Sequence, residues 1–374
     1  TIVIRGNLAL EFDFMTEGTM YTFAQPWKSG DKDFWMVNCF NGNSRYMVRA
    51  AKGTVRPEQK WSVSTAEYCR ICLEPGNAGE YLATLEENFE DWADRKIEYD
   101  YDAILKEKAA EFERFYESMP SVPAVYADAA RVAAYVDWAS IVAPCGVLKR
   151  ESMFMSKNWM CNVWSWDHCF NAMALAYHNP KEAWDQFLVM FDFQKPSGNI
   201  PDSVNDAKII HNYCKPPIHG WTLRKLMGIM AISHEQLMEA YEKLSKWTYW
   251  WLNCRDENGD GLCEYTHGND SGWDNATAFA ELPPVTLPDL AAFLVLQMDV
   301  LAEVAEKLGY MSDADMWKER SDKMLDKMLQ VLFRDEKPIG LAGFDMTEVD
   351  CDSLILYLPI IIGKKLPEEI RRTM

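Results

Sequence analysis

Apolar and polar residues alternate through most of the first 98 positions, and then the period changes. "TIVIRGNLALEFDF", "DKDFWMVNCF", "SRYMVRAAKG" and "AGEYLATLEEN" each set side chains on two faces, and "NGN", "KG" and "PGNAG" interrupt them with turn residues. A period of two belongs to half-buried strands, and strands this short pack most simply as an antiparallel sandwich. From "YDAILKEKAAEFERFYESM" (101–119) onward the spacing is helical, with Ile104, Ala109, Phe112 and Phe115 roughly on one face. The order predicts a β-sandwich region over 1–98, a linker helix within 99–123 closed by "PSVP", and a helical domain over 124–374.

Helical spacing recurs over 124–143, 167–178, 181–193, 220–233, 235–252, 288–308, 312–333 and 350–362, with a further start near 367. Asn179-Pro180 marks one helix start, and Ser312 with Asp315 reads as a capping box before another. Short links between successive helices predict antiparallel hairpins. The loops 144–166, 194–219 and 253–287 hold nearly all the unusual residues, and loops this long in a compact domain are more often functional than idle. The expected fold is mostly α: a ring of helical hairpins with its long loops gathered at one end.

Composition narrows the partners. A net charge of −19 leaves no basic surface to displace the counterions of a nucleic acid or to meet an anionic membrane. The longest apolar run, "SLILYLPIIIG" (353–363), falls short of the roughly 18 to 20 residues that span a bilayer. Ten scattered cysteines suit reduced thiols and a cytoplasmic location. Cys69 and Cys72 form a lone CxxC inside an alternating run with no second pair, so zinc is not expected there. The ends, "TIVIRG" and "EEIRRTM", look cut rather than finished. The aromatic share is 13%, with 15 Trp, and an indole offers a flat face plus an N–H donor, which suits a sugar ring. A ring-filled core would use the same residues.

The stretch "DENGDGLCEYTHGNDSGWDN" (256–275) crowds six carboxylates beside Trp273. Asp256, Asn258 and Asp260 alternate through a Gly-containing turn, followed by Leu262 and Glu264. Oxygens so spaced, with the Leu262 carbonyl added, can converge on Ca²⁺, although the Glu comes too early for an EF-hand. An acidic solvated turn would look similar. Asp274 follows Trp273 among small residues, with Asn275 after it, and a carboxyl beside an apolar ring keeps its proton more readily, as a general acid needs. A helix N-cap is the plainer role for it. "NVWSWDHCFNAMALAY" (162–177) puts Trp164, Trp166 and Asp167 at the mouth of a helix, an indole with a carboxylate that could grip a hexose or simply a buried pair with a cap. "KPPIHGW" stiffens a loop that aims Trp221. His168, His178, His211, His219, His234 and His267 show no HExxH or similar metal spacing and read as core or solvated side chains. No GxSxG, Walker A or GxGxxG occurs.

In this order, "WSWDHCFNAMALAY", "SGNIPDSV", "KPPIHGW", "DENGDGLCEY", "GNDSGWDNA" and "LPDLAAFLVLQMDVLAEVAEKLG" resemble the six-hairpin glycosidases of glycoside hydrolase family 63 and the related trehalases. That family includes processing α-glucosidase I, bacterial α-glucosidases and mannosylglycerate hydrolases. The resemblance implies an (α/α)6 toroid behind an N-terminal β-sandwich and an exo-acting, inverting α-glycosidase, most simply an α-glucosidase. It implies Asp274 as general acid, Trp166, Asp167, Trp221 and Trp273 as sugar-binding residues, with Asn275 beside them, and Ca²⁺ on Asp256, Asn258, Asp260 and Glu264. Asp270 departs from the family's usual Glu, and Asn275 from its usual small polar residue, which bears on substrate. The general base of the family is a Glu late in the ring, expected beyond Met374. A sugar-binding protein without hydrolysis, or a trehalase, would share these features.

Overall fold

The computed structural model describes residues 1–14, 21–27, 33–40, 44–63, 65–88, 99–156, 160–177, 179–280 and 283–374. The turn expected at 41–43 and His178 lie outside these, as does the start of the strand segment at 31–32. The chain divides into two compact units, Thr1–Arg114 and Phe115–Met374. The division falls inside α1 (Tyr101–Ser118), the helix read from the sequence as a linker.

Eight strands build the first unit: β1 (Ile2–Gly6), β2 (Leu10–Phe14), β3 (Phe23–Pro26), β4 (Phe34–Cys39), β5 (Ser44–Lys52), β6 (Thr54–Ser62), β7 (Thr65–Glu74) and β8 (Tyr81–Asn88). They form two antiparallel sheets, β1-β8-β5-β4-β3 and β2-β7-β6. Val37, Val48 and Ala83 of the first sheet and Val55, Cys69, Ile71 and Leu73 of the second share one core. The alternation seen in the sequence is thus the in-out pattern of a two-layer sandwich. Cys69 and Cys72 are three apart on one strand, so they point to opposite faces and cannot close on one ion.

The second unit is mostly helical. Its helices are α2 (Ala127–Ser140), α3 (Asp167–Leu175), α4 (Pro180–Leu188), α5 (His219–Ile229), α6 (His234–Cys254), α7 (Pro288–Leu308), α8 (Met311–Val331) and α9 (Glu368–Thr373). Most of α7 is buried around its whole circumference, which fits a central helix, and it packs on α5, α6 and α8. Gly309 ends it at φ +80°, a left-handed conformation that costs a glycine little, and the chain turns directly into α8. Among the described residues no helix is long and apolar enough to cross a membrane.

Two local expectations are corrected. The capping box is at α6, not α8: the Ser233 hydroxyl accepts from the Gln236 N–H (3.2 Å), and the Gln236 side chain accepts from the Ser233 N–H (2.9 Å). Helix α8 starts one residue before Ser312, with Tyr310 as a cap that makes no side-chain bond. The segment expected as a helix over 350–362 is a broken 3-10 run, Leu354–Lys365. Pro359 supplies no N–H to it and Gly363, at φ 55°, kinks it.

Candidate active site

The first two of the three long loops are tied to each other by short pairings. At the end of α2, β9 (Ile141–Val142) pairs with β10 (Ser152–Met153) of the first loop, and β11 (Val163–Trp164), β12 (Ser203–Val204) and β13 (Ile209–Ile210) form a small sheet. That sheet sets Trp164 opposite Ser203, and the Ser165 N–H donates to the Asp202 carbonyl at 3.0 Å. The third loop joins through side chains. Lys215 is 4% exposed, and its ammonium meets Asp202 at 3.1 Å and donates at 2.6 Å to both the backbone and side-chain oxygens of Asn269. Asp270 is fully buried and accepts from the Cys214 N–H, the Thr266 N–H and hydroxyl, and Arg255. A carboxylate with that many donors is an anchor for the loop that carries Asp274.

At this junction lies a cleft of about 240 Å³, bounded by Trp164, Trp166, Asp167, Lys215, Asn269 and Asp274. Trp166 caps α3, and Asp167 is its first helical residue. Gly272 sits at φ +72°, where a Cβ would overlap the Trp166 indole; only glycine lets the 268–274 segment lie against that ring. The Lys215 ammonium stands 5.6 Å from the centre of the Trp164 ring. Burial raises the Asp167 carboxyl above the usual carboxylate range; Lys215 opposes the shift and the charge of Asp274 adds to it. Asp202 is raised mainly by burial, again with Lys215 opposing, and with Asp270 and Asp274 adding. The arrangement offers an aromatic face beside carboxylate, amide and ammonium groups, which is chemistry for a ring that bears hydroxyls.

Of the residues singled out in the sequence, Trp166, Asp167 and Asp274 meet at this cleft, with Asp274 exposed. Trp221 is half-buried and does not line the cleft. It packs with Trp166 on the buried cluster of Cys169, Ile218 and Phe293, and Phe170 bridges the two indoles edge-on at 5.9 and 6.0 Å. Trp273, part-buried, gives its N–H to the Ser271 hydroxyl at 3.0 Å, and Asn275 is exposed; neither lines the cleft. Lys215, Asp202 and Asn269 were missed. Lys215 and Asp202 stand inside "KPPIHGW" and "SGNIPDSV", but nothing local marks a lysine whose partners come from other loops.

In the loop 256–264 the oxygens turn toward their own backbone. Asp256 accepts from the Gly261 N–H (3.1 Å), Asn258 from the Asp260 N–H (2.9 Å), Asp260 from the Leu262 N–H (2.8 Å) and Glu264 from the Glu257 N–H (2.9 Å). Leu262 is fully buried and Glu264 nearly so, and burial raises the Glu264 carboxyl. The second oxygen of Asp256 is buried and has no hydrogen-bond partner among the described residues. That orphaned acceptor fits a cation. Against it, the groups of metal-type donors gathered within 4.8 Å lie elsewhere among the described residues.

The model of the family "mannosylglycerate hydrolase MGH1-like glycoside hydrolase domain" matches residues 160–373, and the chain belongs to that family. This bears out the resemblance to glycoside hydrolase family 63 drawn from the motifs. A mannosylglycerate hydrolase of Selaginella moellendorffii is 23% identical over 193 residues, which is 46% of this chain and 37% of that protein. The chain therefore spans little more than a third of that relative. Among solved structures, the family 63 mannosylglycerate hydrolase of Thermus thermophilus with Tris and D-glycerate is similar at TM-score 0.55 and 16% identity, over 64% of this chain and 74% of that one. The family 92 inverting mannosidase of Bacteroides thetaiotaomicron is similar at TM-score 0.58 and 11% identity, over 92% of this chain and 49% of that one. At these identities the likeness concerns the fold.

Proposed function

We propose that this protein hydrolyses a terminal α-linked hexose from a small glycoside, inverting the anomeric centre, on helices that form part of an (α/α)6 ring. The observation that carries the reading is the convergence of Trp166, Asp167 and Asp274, from two distant loops, on one cleft of a glycoside hydrolase domain. In this reading the apolar face of the sugar lies on Trp166 and its hydroxyls hydrogen-bond Asp167. Asp274 gives its proton to the glycosidic oxygen as the C1–O bond breaks. Water enters from the opposite face, activated by a second carboxylate roughly 6.5 to 9.5 Å from the acid, as inversion requires. That base is the late Glu which the resemblance implies. The sequence suggested an α-glucoside; the named activity of the relatives favours an α-mannoside, with glycerate or a similar small acid as leaving group.

Ca²⁺ belongs to the same proposal. Asp256, Asn258, Asp260 and Glu264, with the Leu262 carbonyl, would hold it and stiffen the loop that presents Asp274.

Replacing Asp274 tests the acid. General acid catalysis is worth about 10² to 10⁴ in rate, so Asp274→Asn is expected to lose that much turnover on a substrate with a poor leaving group. Binding of the sugar, followed by calorimetry, should persist. Unchanged turnover removes Asp274 from the mechanism.

A further inference from the structure

Behind the cleft, on the inner side of Trp166 and Asp167, lie three side chains that the proposed hydrolysis does not use. His168, Cys169 and His219 are each fully buried, and one donor atom from each lies within 4.8 Å of the others. His168 Nδ1 stands 3.0 Å from the Trp164 carbonyl. A carbonyl only accepts, so Nδ1 carries the proton and the Nε2 lone pair faces the other way, where Cys169 Sγ stands at 3.6 Å. The two imidazole rings are 5.0 Å apart and tilted by 50°. Neither nitrogen of His219 has a hydrogen-bond partner among the described residues. Its ring neighbours include Phe191 and Trp247; Phe191 has no polar atom, and the Trp247 indole N–H, a donor only, makes no hydrogen bond to it.

A neutral imidazole in that position has a buried lone pair with no donor, an arrangement that structures rarely tolerate. His168 is in the same condition on its Nε2 side, apart from a weak thiol. We propose that His168 Nε2, Cys169 Sγ and one nitrogen of His219 form a buried metal site for a zinc-type divalent ion. Two imidazoles and one thiolate suit Zn²⁺ and exclude the oxygen-seeking Ca²⁺ of the 256–264 loop. The bond from His168 Nδ1 to a backbone carbonyl is the outer-shell contact that ordinarily fixes the tautomer of a metal-bound histidine. Cys169 is the third residue of α3, where burial pushes its thiol up, so it is the bound cation that would hold it as a thiolate. The adjacent Asp167 carboxylate helps balance the charge left on the ion. The two histidines come from the N-termini of α3 and α5, so the ion would clamp together the helix ends that carry Asp167 and Trp221. The sequence shows no such motif because His219 stands far along the chain from the adjacent His168 and Cys169, beyond any local spacing.

Metal analysis by mass spectrometry, on protein expressed with zinc and purified without chelator, is expected to give about one Zn²⁺ per chain. Cys169→Ser and His219→Ala should each lose it, with circular dichroism confirming that at least one of them stays folded. Independently of any variant, refolding the wild-type chain with Co²⁺ should produce a thiolate-to-cobalt charge-transfer band. Sub-stoichiometric zinc together with no such band overturns the site. So does zinc retained in a folded Cys169→Ser protein, since the thiolate would then not be a ligand.

Discussion

Gly272 shows how closely single residues are specified at the cleft. Its left-handed conformation and the indole of Trp166 against its missing Cβ leave no room for a side chain. Gly272→Ala is expected to lower the melting temperature by a few degrees, since strain at positive φ costs on the order of 1 kcal/mol or more. It should also weaken sugar binding as Trp166 shifts, and calorimetric titration of wild type and variant would read this; equal affinities would mean that Trp166 does not form the floor. Asp289, near the start of α7, is fully buried, and burial raises its carboxyl to about 7 although the Tyr265 hydroxyl donates to it at 2.9 Å. The folded chain then holds a proton between about pH 4 and 7 that the unfolded chain has released, so stability falls as pH rises through that window. The full penalty, on the order of 4 kcal/mol, is present above about pH 7 and absent below about pH 4. Asp289→Asn keeps the acceptor for Tyr265 without the charge. Its melting temperature relative to wild type should rise steadily from pH 4.5 to 7.5, and a pH-independent difference would contradict this. Asp167 and Asp274 were legible in the sequence because each adjoins a tryptophan. Lys215 was not, because its nearest partner in the third loop is 54 residues away.

At the scale of elements, periodicity located both kinds of structure and failed where backbone chemistry decided. The 288–308 helix was read to its ends because Pro288 and Gly309 punctuate it. The 354–365 segment looked helical by hydropathy alone, and Pro359 and Gly363 made it something else. The alternating oxygen-bearing side chains of 256–264 were legible as a turn, but a sequence pattern cannot say whether they point at an ion or at their own backbone N–H groups. Differential calorimetry decides between these. If Ca²⁺ holds the loop, chelation should lower the melting temperature and Ca²⁺ should restore it, because a ligand of the native state stabilises it. No shift means that the turn stands on its four backbone bonds alone. Mg²⁺ should restore little, since it demands tighter octahedral geometry.

Across the whole molecule, the change of period near residue 98 foretold a strand unit followed by a helical unit, and the two sheets and the later helices follow it. What the sequence could not supply was the meeting of the long loops, because that depends on pairings such as Trp164 with Ser203 and Lys215 with Asn269. Those pairings create the cleft, and the cleft carries the account of function. The most direct test is proton NMR of the first sugar released from an α-mannosyl glycoside of a small acid, with the corresponding α-glucoside run in parallel. The account predicts the β-anomer of mannose appearing first and mutarotating later to the equilibrium mixture. An α-anomer appearing first would mean retention of configuration, and the acid-and-water mechanism built on Asp274 would then be wrong.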